Sequence, residues 1–164
     1  MTQDKLDTSR ATEAIKDIRF VEALGLLESN LAKDPNHIDS LYLAAVCSRY
    51  LKNYDNSKKY IESLLSSAPD MGRAYQELGH LNRDMGNSEN AIAHYRQACE
   101  LNPALLASWK ALYDYFKRNK NKPAADHAFM QMNTLQSIPS ILLYISQILN
   151  EGKLGIAEEK CREF

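Results

Sequence analysis

Three prolines, Pro35, Pro69 and Pro103, stand 34 residues apart, and each closes an apolar run: Leu26 to Ala32, Ile61 to Leu65, and Ala98 to Leu101. Proline has no amide donor and clashes with the preceding helical turn, so each position ends a helix and starts a turn. A chain punctuated at one fixed step is built from a repeated supersecondary unit, which restricts the fold more than any other feature of the sequence.

Further registers recur on the same step. Small residues hold two of them, Ala11, Ala45 and Gly79 in one and Ala23, Ser57, Ala91 and Ala125 in the other. Large residues hold others: Leu41, Tyr75 and Trp109; Ala44, Leu78 and Leu112; Leu27, Ile61, Tyr95 and Phe129. Small side chains at fixed places let two helices approach to about 8–10 Å, and the large ones fill the space that remains. Within one period the apolar spacing is three and four residues, as in Tyr75, Leu78, Gly79 and then Ala91, Ile92, Tyr95, Ala98. Both halves therefore read as helices. Between them lies Asp84-Met85-Gly86-Asn87, where Gly86 can take the left-handed conformation that ends the first helix. Each unit is a helical hairpin, with rods of roughly 20 Å that need neighbours to bury their faces.

The stretch from Gly72 to Pro103, with Tyr75, Leu78-Gly79, Gly86, Ala91, Tyr95, Ala98 and Pro103, resembles a tetratricopeptide repeat at nearly every signature place. The resemblance implies an all-α fold, an α-solenoid of antiparallel helical hairpins in one domain over residues 1–164. The units fall at about 4–37, 38–71, 72–105 and 106–137, with a partial fifth at 138–164. Asp7 and Arg10 sit where the family has large apolar residues, so the first helix is expected to keep a solvated outer face. The fifth unit stops at Phe164, inside its second helix, which leaves an apolar face open. The expectation is an N-terminal piece of a longer protein, against a natural end whose face is buried by self-association.

Bulk properties narrow the function classes. A formal charge of −1 with 25% charged residues supplies no field for a polyanion, so nucleic acid is not expected as a partner. With 45% hydrophobic residues the chain can bury a core. Met1 to Arg10 lacks a secretory apolar region, and Ile138 to Leu149 is interrupted by Pro139, Ser140, Ser146 and Gln147, short of a membrane span. Three cysteines without a close pair argue against a disulfide framework. A cytoplasmic protein, monomer or weak homodimer, is the expectation.

In the family, the first helix of each pair lines a concave face that holds peptide segments. By register, the resemblance places there Tyr42, Val46, Arg49 and Tyr50; Arg73, Gln76, His80 and Arg83; and Lys110, Asp114, Lys117 and Arg118. Arg49, Arg83 and Lys117 share the 34-residue step and form a basic ladder. With Arg73 and Lys110 nearby and Asp39, Asp84 and Asp114 as counter-charges, the ladder suits a segment bearing acidic side chains or a terminal carboxylate. The alternative reading is a set of ordinary solvated charges paired on adjacent turns. Tyr42, Val46 and Glu77 stand where tetratricopeptide proteins that grip chaperone C-termini need Lys, Asn and Asn or Arg, which disfavours that adaptor role.

No catalytic constellation is legible, so no enzyme activity, cofactor or metal is expected. His37, His80, His94 and His127 lack the four-residue pairing of a helical metal site. Cys47, Cys99 and Cys161 fall in apolar registers and read as structural, although Cys161 lies between Lys160 and Arg162. Gly79 and Gly86 follow no strand and precede no Lys-Ser or Lys-Thr, as a phosphate loop requires. Tyr42 and Tyr50 are the expected exposed aromatics. The leading expectation is a scaffold for a peptide or protein segment. Its competitor is the partner-positioning region of a larger enzyme, since Ile141 to Phe164 resembles faintly the repeats that precede the catalytic part of bacterial tetratricopeptide sulfotransferases.

Overall fold

A computed structural model describes residues 3–150, 152 and 154–163. Every element among the described residues is a helix: α1 (Gln3–Lys16), α2 (Phe20–Lys33), α3 (Ile38–Tyr50), α4 (Tyr54–Ser67), α5 (Gly72–Asp84), α6 (Ser88–Leu101), α7 (Leu106–Arg118), α8 (Lys122–Ser137), α9 (Ser140–Asn150) and α10 (Leu154–Glu163). Consecutive helices pair as antiparallel hairpins, and the packing divides the chain into two compact units, Met1–Asp70 and Met71–Phe164. In the first, α1/α2 and α3/α4 are joined through α2 against α3. In the second, α5/α6 and α7/α8 are joined through α6 against α7, and α9 pairs with α10.

The turn inside each of the first four hairpins has one backbone solution. Ile18, Lys52, Gly86 and Lys120 all have positive φ, between 54° and 81°, and they stand 34 residues apart. Each donates its amide three residues back (Ile18 to Ile15, Lys52 to Arg49, Gly86 to Arg83, Lys120 to Lys117) at 2.9–3.2 Å. The next residue donates five back, Arg19 to Ala14, Asn53 to Ser48, Asn87 to Asn82 and Asn121 to Phe116, at 2.8–2.9 Å. This pair of bonds is the Schellman motif, and it satisfies carbonyls that the helix end leaves open. The same residue then begins the next helix, and the side chains of Asn53 and Asn121 accept amides from Asn56 and Ala124. Glycine occupies the left-handed position only at 86 among these four turns, so the other three carry a steric cost of roughly 1–2 kcal/mol each.

Between paired helices, a small residue on the first admits a large one from the second. Leu27 and Ile61 are fully buried with Ala11 and Ala45, and Tyr95 is 1% exposed beside Gly79. A Cβ added at Gly79 would lie 2.5 Å from two atoms of the Tyr95 ring. The fourth hairpin departs from the expectation that Phe129 fills the same space. Tyr113 stands where the earlier units have Ala or Gly, its ring meets that of Phe129 at 5.6 Å, and Phe129 stays 47% exposed. Each unit accordingly has its own core, Ala11, Ala14, Ala23, Leu27, Ala44 and Cys47 in the first, and Ala91, Tyr95, Cys99, Leu112, Phe116 and Ala128 within the second. Burying one such large side chain contributes about 1.5–3 kcal/mol.

The first helix also departs from expectation. Arg10 is solvated, but Asp7 is only 7% exposed and lies 3.9 Å from Lys33 of α2. Nearby, Asn30 donates to Thr8 of α1 and reaches Ser40 of α3 at 3.5 Å, so polar groups cross-link the buried seam of three helices.

Two substitutions are expected to act in opposite directions. Gly79→Ala forces a buried ring aside and lowers the urea midpoint, with a loss of about 1–3 kcal/mol that exceeds the gain from alanine's helix propensity. Lys120→Gly relieves a left-handed side chain and raises stability by about 0.5–1 kcal/mol. Chemical denaturation followed by circular dichroism reads both, and a destabilised Lys120→Gly would contradict the turn assignment.

Candidate functional site

The first helices of the hairpins carry the residues that the repeat register selects, and the structure places them in two separate settings. In the first unit, α3 presents Tyr42, Val46, Arg49 and Tyr50. Tyr42 and Val46 are half-buried. Tyr50 is exposed, and its ring lies flat on Phe20 of α2 with centroids 4.6 Å apart and planes 2° from parallel. The Arg49 guanidinium sits 4.5 Å over the Tyr50 ring, and Arg49 as a residue is only 7% exposed. Arg49 is thus a packed cation held by an aromatic face, in contrast to the solvated rung that register alone suggests.

In the second unit, α5 and α7 hold the remaining positions. Tyr95 of α6 passes the bare backbone of Gly79, and its hydroxyl lies 2.7 Å from Nδ1 of His80. The His80 ring meets the Tyr95 ring edge-on at 5.3 Å, which fixes the imidazole half-buried at the surface of α5. Ser108 of α7 donates to Oε1 of Gln76 at 3.0 Å and ties the two first helices together. Arg73 is half-buried. Arg83 is exposed, and two of its nitrogens donate to Asp84 Oδ1 at 3.1 and 2.9 Å. An exposed pair of this kind contributes little to stability, so the cation can be lent to a partner cheaply. Lys110 and Asp114 are exposed, and Lys117 extends its ammonium 5.3 Å over the Tyr113 ring. Arg118 donates Nε to the Asp114 carbonyl at 3.2 Å.

A recess of about 100 Å³ opens where α5 ends, α6 begins and α7 passes by. Ile92, Tyr95 and Tyr115 form its apolar wall, with Arg83, Asp114 and Arg118 around the mouth. Register does not single out Tyr115 and Ile92, because they belong to the packing between hairpins and not to the outward face of a first helix.

The histidines are engaged structurally. His37 caps α3 by accepting the Ser40 amide at Nδ1, 3.2 Å, and His94 lies beside Tyr75 where burial pushes its pKa down. His127 meets the Trp109 ring edge-on at 5.5 Å. Among the described residues no cluster of His, Cys, Asp or Glu is arranged to hold a metal ion, and no helix is long and apolar enough to cross a membrane. Cys47 and Cys99 are buried, while the Cys161 side chain lies outside the described residues. Burial, and then the charge of Glu100, pushes the Cys99 thiol up to about 12, against a smaller lowering by Ser108.

A thiol with that pKa is thiolate in only about one molecule in 10⁴ at pH 8. Cys99 for that reason, and Cys47 because its side chain is fully buried, are expected to resist Ellman's reagent in the native protein and to react once it is unfolded. Reaction of either at the rate of an exposed thiol would contradict their burial.

Residues 38–71 and 72–105 each match the tetratricopeptide repeat family model. No curated protein matches the chain in sequence. Among solved structures, MamA from Desulfovibrio magneticus RS-1 is similar with a TM-score of 0.67 and 19% identity, over 82% of this chain and 76% of that one. An O-GlcNAc transferase mutant from Thermobaculum terrenum has a TM-score of 0.65 and 21% identity, over 71% of this chain and 23% of that one. The first tetratricopeptide domain of Spaghetti (RPAP3), bound to the HSP90 peptide SRMEEVD, has a TM-score of 0.64 and 15% identity, over 72% of this chain and 94% of that one.

Proposed function

We propose, from the premise that this chain carries tetratricopeptide repeats in the fold of tetratricopeptide arrays, that it is a non-catalytic scaffold for protein–protein interaction. Its ligand is a peptide or protein segment with acidic side chains, received on the first-helix face of the second unit. The observation that carries this reading is the charge of that face: Arg73, Arg83, Lys110, Lys117 and Arg118 against Glu77, Asp84 and Asp114, on a chain whose net charge is −1.

Several features support the reading. Glu77 is buried, so its carboxylate is not displayed to a partner. Among the described residues Arg83 is held by its neighbour Asp84 and Lys117 by a ring, so both can meet a carboxylate with little rearrangement. Gln76 and His80 are already fixed by Ser108 and Tyr95, which lowers the ordering cost of binding. The neighbour from Spaghetti holds a peptide with three acidic residues. In the first unit, Tyr50 on Phe20 offers an aromatic surface suited to an apolar side chain. A second reading, an array that positions partners for a catalytic domain, has the transferase neighbour in its favour, whose own chain is mostly outside the similar region.

Arg83→Glu combined with Lys117→Glu tests the first reading without touching Arg49, whose reversal would place a new carboxylate in a buried setting. Affinity capture from native lysate, identified by mass spectrometry, is expected to lose its principal partner with this variant while helical circular dichroism is unchanged. The loss corresponds to at least about tenfold weaker binding. Partners retained equally by both proteins would refute the basic face as the site.

A further inference from the structure

A larger recess lies on another side of the second unit, between α6, α7 and α8, and includes none of the residues of the first-helix face. Its volume is about 330 Å³, at the lower end of sites that seat a ligand group. Leu112, Phe116 and Ala128 make an apolar floor, with Trp109 as one wall. Trp109 is fixed there, because its indole N–H donates to the Pro103 carbonyl at 2.9 Å and His127 packs on its ring. Cys99 also lines the recess, where burial pushes its thiol pKa up.

The rim is charged. Arg96 of α6 lies with its guanidinium 5.3 Å from the Phe116 ring centre, and no carboxylate of the described residues pairs with it. Glu100, one helical turn further along α6, also faces the recess without an ion pair among the described residues. A cation beside an apolar, partly desolvated surface gains more from an incoming carboxylate than a fully solvated one does.

We propose that this recess is a second docking site, which seats one large aliphatic side chain of a partner protein's segment while an adjacent carboxylate of that segment meets Arg96. A peptide segment supplies both parts of such a ligand, an aliphatic side chain for the apolar floor and a neighbouring carboxylate for Arg96. Arg96 then sets the charge of the ligand, Glu100 sets its polarity along α6, and Trp109 reports occupancy.

Trp109 is the single tryptophan of the chain, so its fluorescence reads the recess directly. The full chain is titrated with the capped peptide acetyl-Ser-Glu-Leu-Leu-Ser-amide and with its counterpart carrying Gln in place of Glu. Both are expected to shift Trp109 emission saturably, the Glu peptide binding about fivefold tighter. In Arg96→Gln that preference disappears while the Gln peptide binds as before. Glu100→Gln enlarges the preference, and Ala124→Leu, which fills the recess from its rim, removes binding of both peptides with helical circular dichroism and melting retained. No saturable shift in the wild type, a preference that survives Arg96→Gln, or binding unaffected by Ala124→Leu would each overturn the proposal. Because Arg83 and Lys117 are untouched throughout, failure here leaves the reading of the first-helix face standing, and the converse also holds.

Discussion

Everything in this molecule depends on how closely the two helices of a hairpin approach each other. Where the first helix offers Ala or Gly, the second can bury a Leu, an Ile or a whole tyrosine ring, and Tyr95 against Gly79 is the extreme case. That burial is what holds short helices in place, since rods of 13 or 14 residues have little stability of their own. It also sorts the remaining side chains. Once the seam is closed, the outward registers of the first helices are left to face solvent, and a ring that crosses the seam emerges on the far side as a hydrogen-bond partner for His80.

In the fourth hairpin the exchange of small for large fails. Tyr113 takes the small position, Phe129 is turned out, and α8 carries an exposed Phe129 and Met130. The recess around Trp109 borders this hairpin, bounded by α6, α7 and α8.

Much of the architecture is legible in the sequence because one period carries both the prolines that mark the hairpin boundaries and the small residues that mark where paired helices approach. Gly86 announces its left-handed turn. Ile18, Lys52 and Lys120 do not, since no glycine marks them, yet their positions follow from Gly86 by the period, and Asn53, Asn87 and Asn121 repeat beside them. Side-chain settings are less accessible. Register places Arg49, Arg83 and Lys117 on one ladder but cannot tell that Arg49 is buried against Tyr50 while Lys117 reaches into solvent over Tyr113. That difference is decided by which aromatic neighbour is available, a tertiary fact. Asp7 departs from expectation for a similar reason, because a polar residue in an apolar register reads as solvated although Lys33 on the next helix lies within reach. The recess around Trp109 joins residues from three helices that share no register, and no sequence pattern announces it.

Reception of an acidic segment on the first-helix face of α5 and α7 is tested most directly by mapping backbone amide shifts of the labelled protein as a capped peptide of alternating glutamate and serine, which offers no aliphatic side chain to the recess around Trp109, is added. Shifts are expected to concentrate at Gln76, His80, Arg83 and Lys117 and to weaken as salt is raised, since screening reduces attraction between exposed charges. Shifts that avoid these residues, or that ignore salt, would contradict a basic docking face.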